Sequence, residues 1–169
     1  MILIIRPKSE IQDLIKILDK KKYSYFFEPF TYFRKIKTKI NYNPKHYYLI
    51  SSKQAVHSLK HNLDQHKKLI QDGTFLVIGE KIKKELTAIG VRNISRTFLD
   101  SYGLEDYLKK NKKIKFINHL TSNVPNEVIR KIEHSGDAKI IYSTLYKTYF
   151  KKKLSKNLNK VFNRKKILI

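Results

Sequence analysis

Residues 47–90 contain the pattern that decides the fold: YYLISSKQAV at 47–56 and TFLVIGEKIKKELTAIG at 74–90. Two apolar runs, Tyr47–Ile50 and Phe75–Ile78, each stop at small or hydroxylated residues and are followed at once by a helix-type pattern. Buried strands that alternate with amphipathic helices are typical of a parallel sheet. We therefore predict a strand–helix–strand–helix unit with right-handed crossovers.

Small and hydroxylated residues occupy the turn after each of these strands. Ser51 and Ser52 follow the first strand, and Gly79 follows the second. In open parallel sheets, ligands bind at the carboxyl ends of the strands, where the N–H groups of helix N-termini hold anions. The three residues are therefore candidates for anion binding. Plain helix N-caps for the serines and tight strand–helix packing for the glycine are the alternatives.

The same alternation continues along the chain. Five strands and four helices are predicted between about residues 47 and 146. The first helix runs from about Lys53 to Leu63, and Gly90 ends the second as a C′ glycine. Either Asp100 or Ser101 caps the third, which ends near Lys110. The turn cluster NYNPKH at 41–46 separates this region from an opening strand–helix–strand segment and an extended TYFRKI run at 31–36. The opening segment is too short to cover both faces of a sheet, so we expect it to belong to a second, incomplete α/β domain.

The amino-acid composition argues against several classes of protein, among them membrane-spanning, disulfide-linked and metal-binding proteins. The chain has 169 residues, 41% of them hydrophobic, and no apolar run approaches the ~20 residues of a membrane helix. There is no cysteine, which excludes disulfides and thiolate metal sites and favours a cytoplasmic protein. His57 and His61 have a spacing that suits a metal, but no acidic HExxH pattern accompanies them, so we predict a solvated helix face and no metal site.

The net charge of +23 raises the question of a polyanionic partner. Only 6 of the 37 basic residues are arginines, and the lysines are spread along the chain. Base-edge and bidentate phosphate recognition favour arginine, so nucleic acid is an unlikely partner. The codon bias of an AT-rich genome is the favoured explanation of the lysines, and attraction of a small polyanion is the second. A basic polyanion- or nucleic-acid-binding module without catalysis is the alternative function.

Six segments together resemble the uroporphyrinogen-III synthase family. They are ILIIRP at 2–7, FFEPF at 26–30, LISSKQAV at 49–56, VIGEKIKKELTAIGV at 77–91, SYGLEDYL at 101–108 and LYKT at 145–148. No single motif is specific, and the inference depends on their order and spacing. The sequence departs from the family at INHLTS (117–122), where a Pro-Arg-Gly type turn is usual.

The resemblance implies two flavodoxin-like α/β domains, of which the first is discontinuous. Residues 1–36 then form the N-terminal part of domain 1 with a linker strand, 37–148 form domain 2, and 149–169 form the return linker and the start of the C-terminal part of domain 1. The terminal KKILI (165–169) resembles the beginning of a strand. We expect domain 1 to be incomplete in this chain, with a second chain as one means of completing it.

The resemblance also implies a reaction, the cyclisation of the small molecule hydroxymethylbilane to uroporphyrinogen III with inversion of ring D. The reaction needs no cofactor. Ser51, Ser52, Gly79 and Ser101 are implied to bind the substrate, and Tyr146 is implied to donate a proton to the departing hydroxyl, since a phenol is protonated at neutral pH. A linker tyrosine that only packs is the alternative reading of Tyr146, and Tyr142 and Tyr149 are neighbours that compete for the role.

Overall fold

The computed structural model describes residues 2–7, 11–153, 155, 156 and 158, in two compact units: Met1–Arg34 with Thr148–Ile169, and Lys35–Lys147. The elements are β1 (Ile2–Ile4), α1 (Gln12–Lys20), β2 (Tyr25–Phe27), β3 (Thr31–Lys35), β4 (Tyr47–Ile50), α2 (Lys53–His61), α3 (Leu63–Asp72), β5 (Thr74–Ile78), α4 (Glu80–Ala88), β6 (Ile94–Phe98), α5 (Ser101–Lys110), β7 (Phe116–Ser122), α6 (Glu127–Ser135) and β8 (Lys139–Phe150). Within these described residues, no helix is both long and apolar enough to cross a membrane.

The second unit is built on a parallel sheet, as predicted. The strand order is β3-β8-β7-β4-β5-β6, and every pairing from β8 to β6 is parallel. Counted from β4, the parallel strands run 3-2-1-4-5, whereas flavodoxin itself runs 2-1-3-4-5. Both orders are doubly wound, and both place the ligand site where the chain reverses direction across the sheet. Here the reversal lies between β4 and β7, directly beside Ser51.

Apolar residues on both faces of the sheet explain the parallel arrangement. Leu49, Leu76 and Ile117 join one core cluster with α5 and α6, through Leu104 and Ile129 among others. The neighbouring strand residues Tyr48, Phe75 and Val77 are also fully buried, and successive side chains of a strand point to opposite faces. Helices α2 and α4 pack together, with α2 also against β7. The sheet is therefore covered on two sides.

Helix α3 is the element that the sequence pattern did not predict. A single helix from about Lys53 to Leu63 was expected, but the chain breaks at Asn62 (φ −126°, ψ 44°) and forms a second helix. The buried residues of α3 are His66, Leu69 and Ile70, which lie at positions i, i+3 and i+4. A histidine therefore occupies one place in the apolar stripe that would otherwise have indicated the helix.

The first unit contains a two-stranded parallel sheet of β1 and β2, with Ile2 opposite Tyr25. Helix α1 connects the strands, and Ile4, Ile11 and Leu18 form the buried core. The strand Ile2–Ile4 therefore lies outside the larger sheet, as expected. The sequence also predicts Ser9 as the N-cap of a helix over Glu10–Lys20, but residues 8–10 lie outside the described residues. The predicted terminal strand at 165–169 lies outside them as well. The incompleteness of this domain stays a prediction.

Two strands carry the chain from one unit to the other. β3 is the neighbour of β8 at the edge of the larger sheet. The Ile36 N–H donates to the Leu145 carbonyl at 3.2 Å, and the Lys151 N–H donates to the Phe30 carbonyl at 2.8 Å. Residue numbers rise on one strand while they fall on the other, so the two strands are antiparallel. The extended TYFRKI run was thus correctly predicted, but β8 continues past its predicted end at Tyr146.

Candidate functional site

The candidate site begins at the carboxyl end of β4, where Ser52 starts helix α2. Ser52 has extended backbone (φ −143°, ψ 145°), and its Oγ accepts a hydrogen bond from the Ala55 N–H at 3.2 Å. This contact is an ordinary N-cap, which satisfies one of the free N–H groups of the first turn. Ser52 therefore caps α2, and its role in substrate binding stays a prediction. The same oxygen makes a second contact, which the cap does not require.

Ser52 Oγ lies 2.9 Å from the hydroxyl oxygen of Tyr146, and either group can donate. Tyr146 belongs to β8 and is buried, and its residue pairs with Ser122 of β7. The contact joins residues 94 positions apart in sequence. The fold thus brings together two of the predicted site residues, a serine that caps a helix and the tyrosine proposed to donate a proton.

The two tyrosines that compete with Tyr146 are placed differently. The Tyr142 hydroxyl donates to Glu133 Oε2 of α6 at 3.0 Å. Burial, followed by the contact with the Glu133 carboxylate, raises the pKa of Tyr142 to about 12. Tyr149 lies near the end of β8 and is 44% exposed. Of these three tyrosines, Tyr146 is the one whose hydroxyl contacts Ser52.

Ser51 contacts a residue that the sequence analysis did not single out. Ser51 Oγ lies 3.2 Å from Nε2 of His119, a fully buried residue of β7. His119 pairs in register with Leu49, and Ser51 follows Leu49 by two residues, so both side chains share one face of the sheet. Burial lowers the pKa of His119 to about 4, which keeps the ring neutral at pH 7.

One signal in the sequence pointed to His119. Asn118, His119, Thr121 and Ser122 are all buried, within the INHLTS segment at 117–122. A central strand of a parallel sheet is normally apolar on both faces. A run of polar residues at the carboxyl end of such a strand therefore indicates a functional edge, although periodicity alone did not show which residue faces Ser51.

Gly79 lies at the end of β5, one strand away from Ser51. Its φ of 100° is on the side of the map that glycine tolerates, and an added Cβ would meet nothing closer than Ile82 Cδ1 at 3.8 Å. Conformation, not space, therefore requires glycine here. The Gly79 N–H donates to the Phe98 carbonyl of β6 at 2.8 Å, so that group holds the neighbouring strand. Helix α4 begins with no side-chain cap.

Ser101 is the first residue of α5, at the end of β6. The cap of this helix is Asp100, whose Oδ1 accepts from the Gly103 N–H at 2.9 Å, which decides between the two predicted caps. Gly79 and Ser101 share the carboxyl edge with Ser51 and Ser52, but they take no part in the Ser52–Tyr146 and Ser51–His119 contacts. The predicted residues on these turns therefore lie at the ends of three neighbouring strands, β4, β5 and β6. The hydrogen-bond contacts to Tyr146 and His119 lie at the end of β4.

The basic side chains nearest to Ser52 along α2 lie beside a carboxylate of α4. Lys53, the first residue of α2, places its Nζ 3.1 Å from Glu85 Oε1 on α4, and His57 Nε2 lies 3.5 Å from the other oxygen of that carboxylate. Anion binding at this edge would therefore depend on hydroxyl and N–H donors more than on Lys53. In the described part of the chain, no group of three or more His, Asp or Glu side chains could hold a metal ion.

These features define a doubly wound α/β unit with a polar carboxyl edge, joined to a second unit by paired antiparallel strands. No protein-family model matches the sequence, and no curated protein matches it. Solved structures do share the fold. A mutant uroporphyrinogen III synthase from Thermus thermophilus has a TM-score of 0.61 with 11% sequence identity, over 89% of this chain and 64% of that chain.

A second solved structure, the uroporphyrinogen-III synthetase of Helicobacter pylori, gives a TM-score of 0.57 with 16% identity, over 81% of this chain and 61% of that one. The wild-type Thermus thermophilus enzyme gives 0.51 with 9% identity. The chain therefore has the fold of uroporphyrinogen-III synthases, and it spans 61–64% of the length of these structures.

Proposed function

We propose that this chain acts in uroporphyrinogen-III synthesis, the cyclisation of hydroxymethylbilane with inversion of ring D and loss of water. The observation that carries the proposal is the 2.9 Å contact between Ser52 and Tyr146 at the switch point of a sheet with this fold. The fold shared with solved uroporphyrinogen-III synthases supports the proposed substrate. The contact supports the proposed chemistry, because it places a hydroxyl donor at the edge where doubly wound sheets bind ligands.

Tyr146 is the proposed acid. The C–O bond of the hydroxymethyl group on ring A breaks, the Tyr146 proton passes to the departing oxygen, and water leaves. Ring D then attacks the resulting electrophile through its substituted carbon, which gives a spiro intermediate. The old bond from that carbon to the neighbouring methylene group breaks, and ring D recloses on the same methylene group through its free carbon, so that the ring is inverted. The proton that this free carbon loses restores the phenol. Ser52 is the proposed orienting partner, because its oxygen is fixed by the α2 cap and lies against the phenol. Proton transfer from a positioned side chain contributes roughly 10²–10⁴-fold in rate.

Ser51, Gly79 and Ser101 are proposed to bind the substrate's carboxylates. Hydroxymethylbilane carries eight of them. The strand ends at this edge place serine hydroxyls beside the N-termini of α2 and α5, and a glycine before the N-terminus of α4. Each helix N-terminus attracts negative charge, by about 0.3–1 kcal/mol at an exposed site. The net charge of +23 favours the encounter with a polyanion. A cytoplasmic location accompanies this function and stays a prediction.

The described edge is proposed as one wall of the site. Hydroxymethylbilane closes without help to the symmetric isomer, so the enzyme has to favour attack of ring D at its substituted carbon. A tenfold preference requires about 1.4 kcal/mol between the competing transition states. That preference needs carboxylates held on two sides. A second wall, from further residues of the same protein or from a second chain, is therefore part of the proposal.

The experiment is conversion of hydroxymethylbilane, with chromatographic separation of the two isomers after oxidation to porphyrins. We expect the 169-residue chain to give mainly the symmetric isomer, and the chain supplemented with a second α/β segment to give the asymmetric one. Tyr146→Phe should then slow the reaction about 100-fold or more, whereas Tyr149→Phe serves as the matched control. Equal rates for the two variants would refute the role of Tyr146, and no asymmetric product in either setting would refute the function.

A further inference from the structure

The contact between Ser51 and His119 has an unusual feature on its buried side. Nε2 of His119 faces Ser51 Oγ at 3.2 Å, while Nδ1 is buried without a hydrogen-bond partner among the described residues. The ring is fully buried and packs against the ring of Tyr142, with 5.9 Å between their centroids. One of the two nitrogens thus has a polar partner and the other has none.

Only one proton is shared between these nitrogens, because burial lowers the pKa of His119 to about 4 and the ring is neutral at pH 7. If Nδ1 carried the proton, a buried N–H donor would have no acceptor. If Nε2 carries it, Nδ1 presents a lone pair instead. Among buried backbone groups, an orphaned N–H donor is rarer than an under-satisfied carbonyl acceptor, and we apply the same preference to the imidazole ring. The Nε2–H form therefore fits this environment better.

The tautomer decides what the serine can do. A hydroxyl has one proton to donate and lone pairs to accept with. When Nε2–H donates to Ser51 Oγ, the serine accepts from the histidine and its own proton remains for another acceptor. When Ser51 instead donates to Nε2, that proton is used inside the protein. Ser51 lies at the carboxyl edge and is partly exposed, so in the first case its proton is available to a ligand.

We propose that His119 is a positioning residue that holds the Nε2–H tautomer and thereby fixes Ser51 as a hydrogen-bond donor toward an anionic ligand, namely a carboxylate. For the identity of that ligand, a tetrapyrrole carboxylate, the inference rests on the proposed function. His119 does not touch the ligand in this arrangement. By keeping the Ser51 hydroxyl as a donor, His119 favours ligand groups that accept a hydrogen bond and disfavours cationic or donor-only groups at the same position.

The tautomer is measured by nitrogen-15 NMR of the full chain with labelled histidine at pH 7. We expect His119 to show a protonated Nε2 and an unprotonated Nδ1, whose resonance lies far downfield of a protonated ring nitrogen. His119→Gln identifies the signal. A protonated Nδ1 would overturn the proposal. The tautomer is observed in the unaltered chain, so the result does not depend on enzymatic activity.

The donor role is measured with uroporphyrin III, an octacarboxylate, as the titrated probe. Ser51→Ala should weaken binding about tenfold, because a hydrogen bond to a charged group is lost. Ser51→Thr keeps the hydroxyl and should bind like the parent chain. Ser58→Ala is a second control, since this buried serine donates to the Gln54 carbonyl within α2. Equal affinities for Ser51→Ala and Ser51→Thr would overturn the donor role.

The histidine is tested by a pair of variants. The amide of His119→Gln can place an N–H near the position of Nε2, whereas His119→Met fills a similar volume with no donor. We expect affinity for uroporphyrin III to fall about tenfold in the Met variant and to be recovered in the Gln variant. Equal affinities would overturn the positioning role. Serine-dependent binding without any asymmetric product would refute the proposed cyclisation while supporting this inference.

Discussion

Burial of His119 makes the stability of the second unit depend on pH. Burial lowers the pKa of this residue to about 4, from an ordinary value of 6.5. Below pH 6.5 the unfolded chain therefore takes up a proton that the folded chain does not accept until about pH 4. The free energy of unfolding contributed by the neutral ring is fully present above pH 6.5 and is lost as the pH falls toward 4.

The magnitude follows from the gap of 2.5 pH units between these two values. Each unit corresponds to about 1.4 kcal/mol, so the complete loss is of the order of 3 kcal/mol, and about 2 kcal/mol is already lost at pH 5. His66 adds to the same trend, because burial lowers its pKa as well. A loss of 2 kcal/mol is a large part of the ~5–15 kcal/mol that stabilises a typical domain.

The assay is urea unfolding at pH 7 and pH 5, for the parent chain and for His119→Gln. Glutamine does not titrate, so the difference in unfolding free energy between the two pH values should shrink by about 2 kcal/mol in the variant. Fixing the ionic strength keeps the screening of the many lysines constant. A variant with the same pH dependence as the parent would show that His119 is not a buried neutral base, and the reasoning would be refuted.

Three further predictions concern other parts of the molecule. His66→Leu should leave the unfolding free energy at pH 7 unchanged or raise it, because both ring nitrogens of His66 are buried without a partner among the described residues. The pH dependence of the unfolding free energy should be smaller in this variant, because burial lowers the pKa of His66. Gly79→Ala should cost about 1–3 kcal/mol from backbone strain at φ 100°, and the matched Gly136→Ala, at φ 72° with open space around it, about 1–2 kcal/mol, both by urea unfolding. Duplex DNA should bind with a Kd near ~10⁻⁴–10⁻⁶ M and a strong salt dependence, by fluorescence anisotropy; sub-nanomolar, sequence-dependent binding would favour the nucleic-acid alternative.

The sequence pattern predicted the parts of the fold that depend on local chemistry. Strands β4 and β5 were predicted from continuous apolar runs, and their ends from Ser51 and Gly79. Gly90 adopts a φ of 99° directly after the C-cap of α4, where a glycine was expected to end the helix. Such positions are predictable because backbone sterics act within a few residues of the chain.

The features that the sequence pattern did not predict depend on contacts between residues far apart in sequence. Helix α3 was missed because His66 takes an apolar position in its stripe, and only packing against the rest of the unit makes that burial possible. The role of His119 was missed because its contact with Ser51 joins residues 68 positions apart. Ser52 and Tyr146 lie 94 positions apart in sequence, and only the family resemblance predicted that both belong to one site.

Amide chemical-shift mapping with uroporphyrin III locates the ligand on the protein without requiring turnover. If the polar carboxyl edge binds the tetrapyrrole carboxylates, the largest shift changes fall at the carboxyl ends of β4, β5 and β6, on the amides of Ser51, Ser52, Gly79 and Ser101. Ser51→Ala should reduce the changes around β4 without abolishing those near Ser101. Changes confined to the amino ends of the strands, or spread over the exposed lysines without any at this edge, would show that the ligand binds elsewhere and would refute the proposed site.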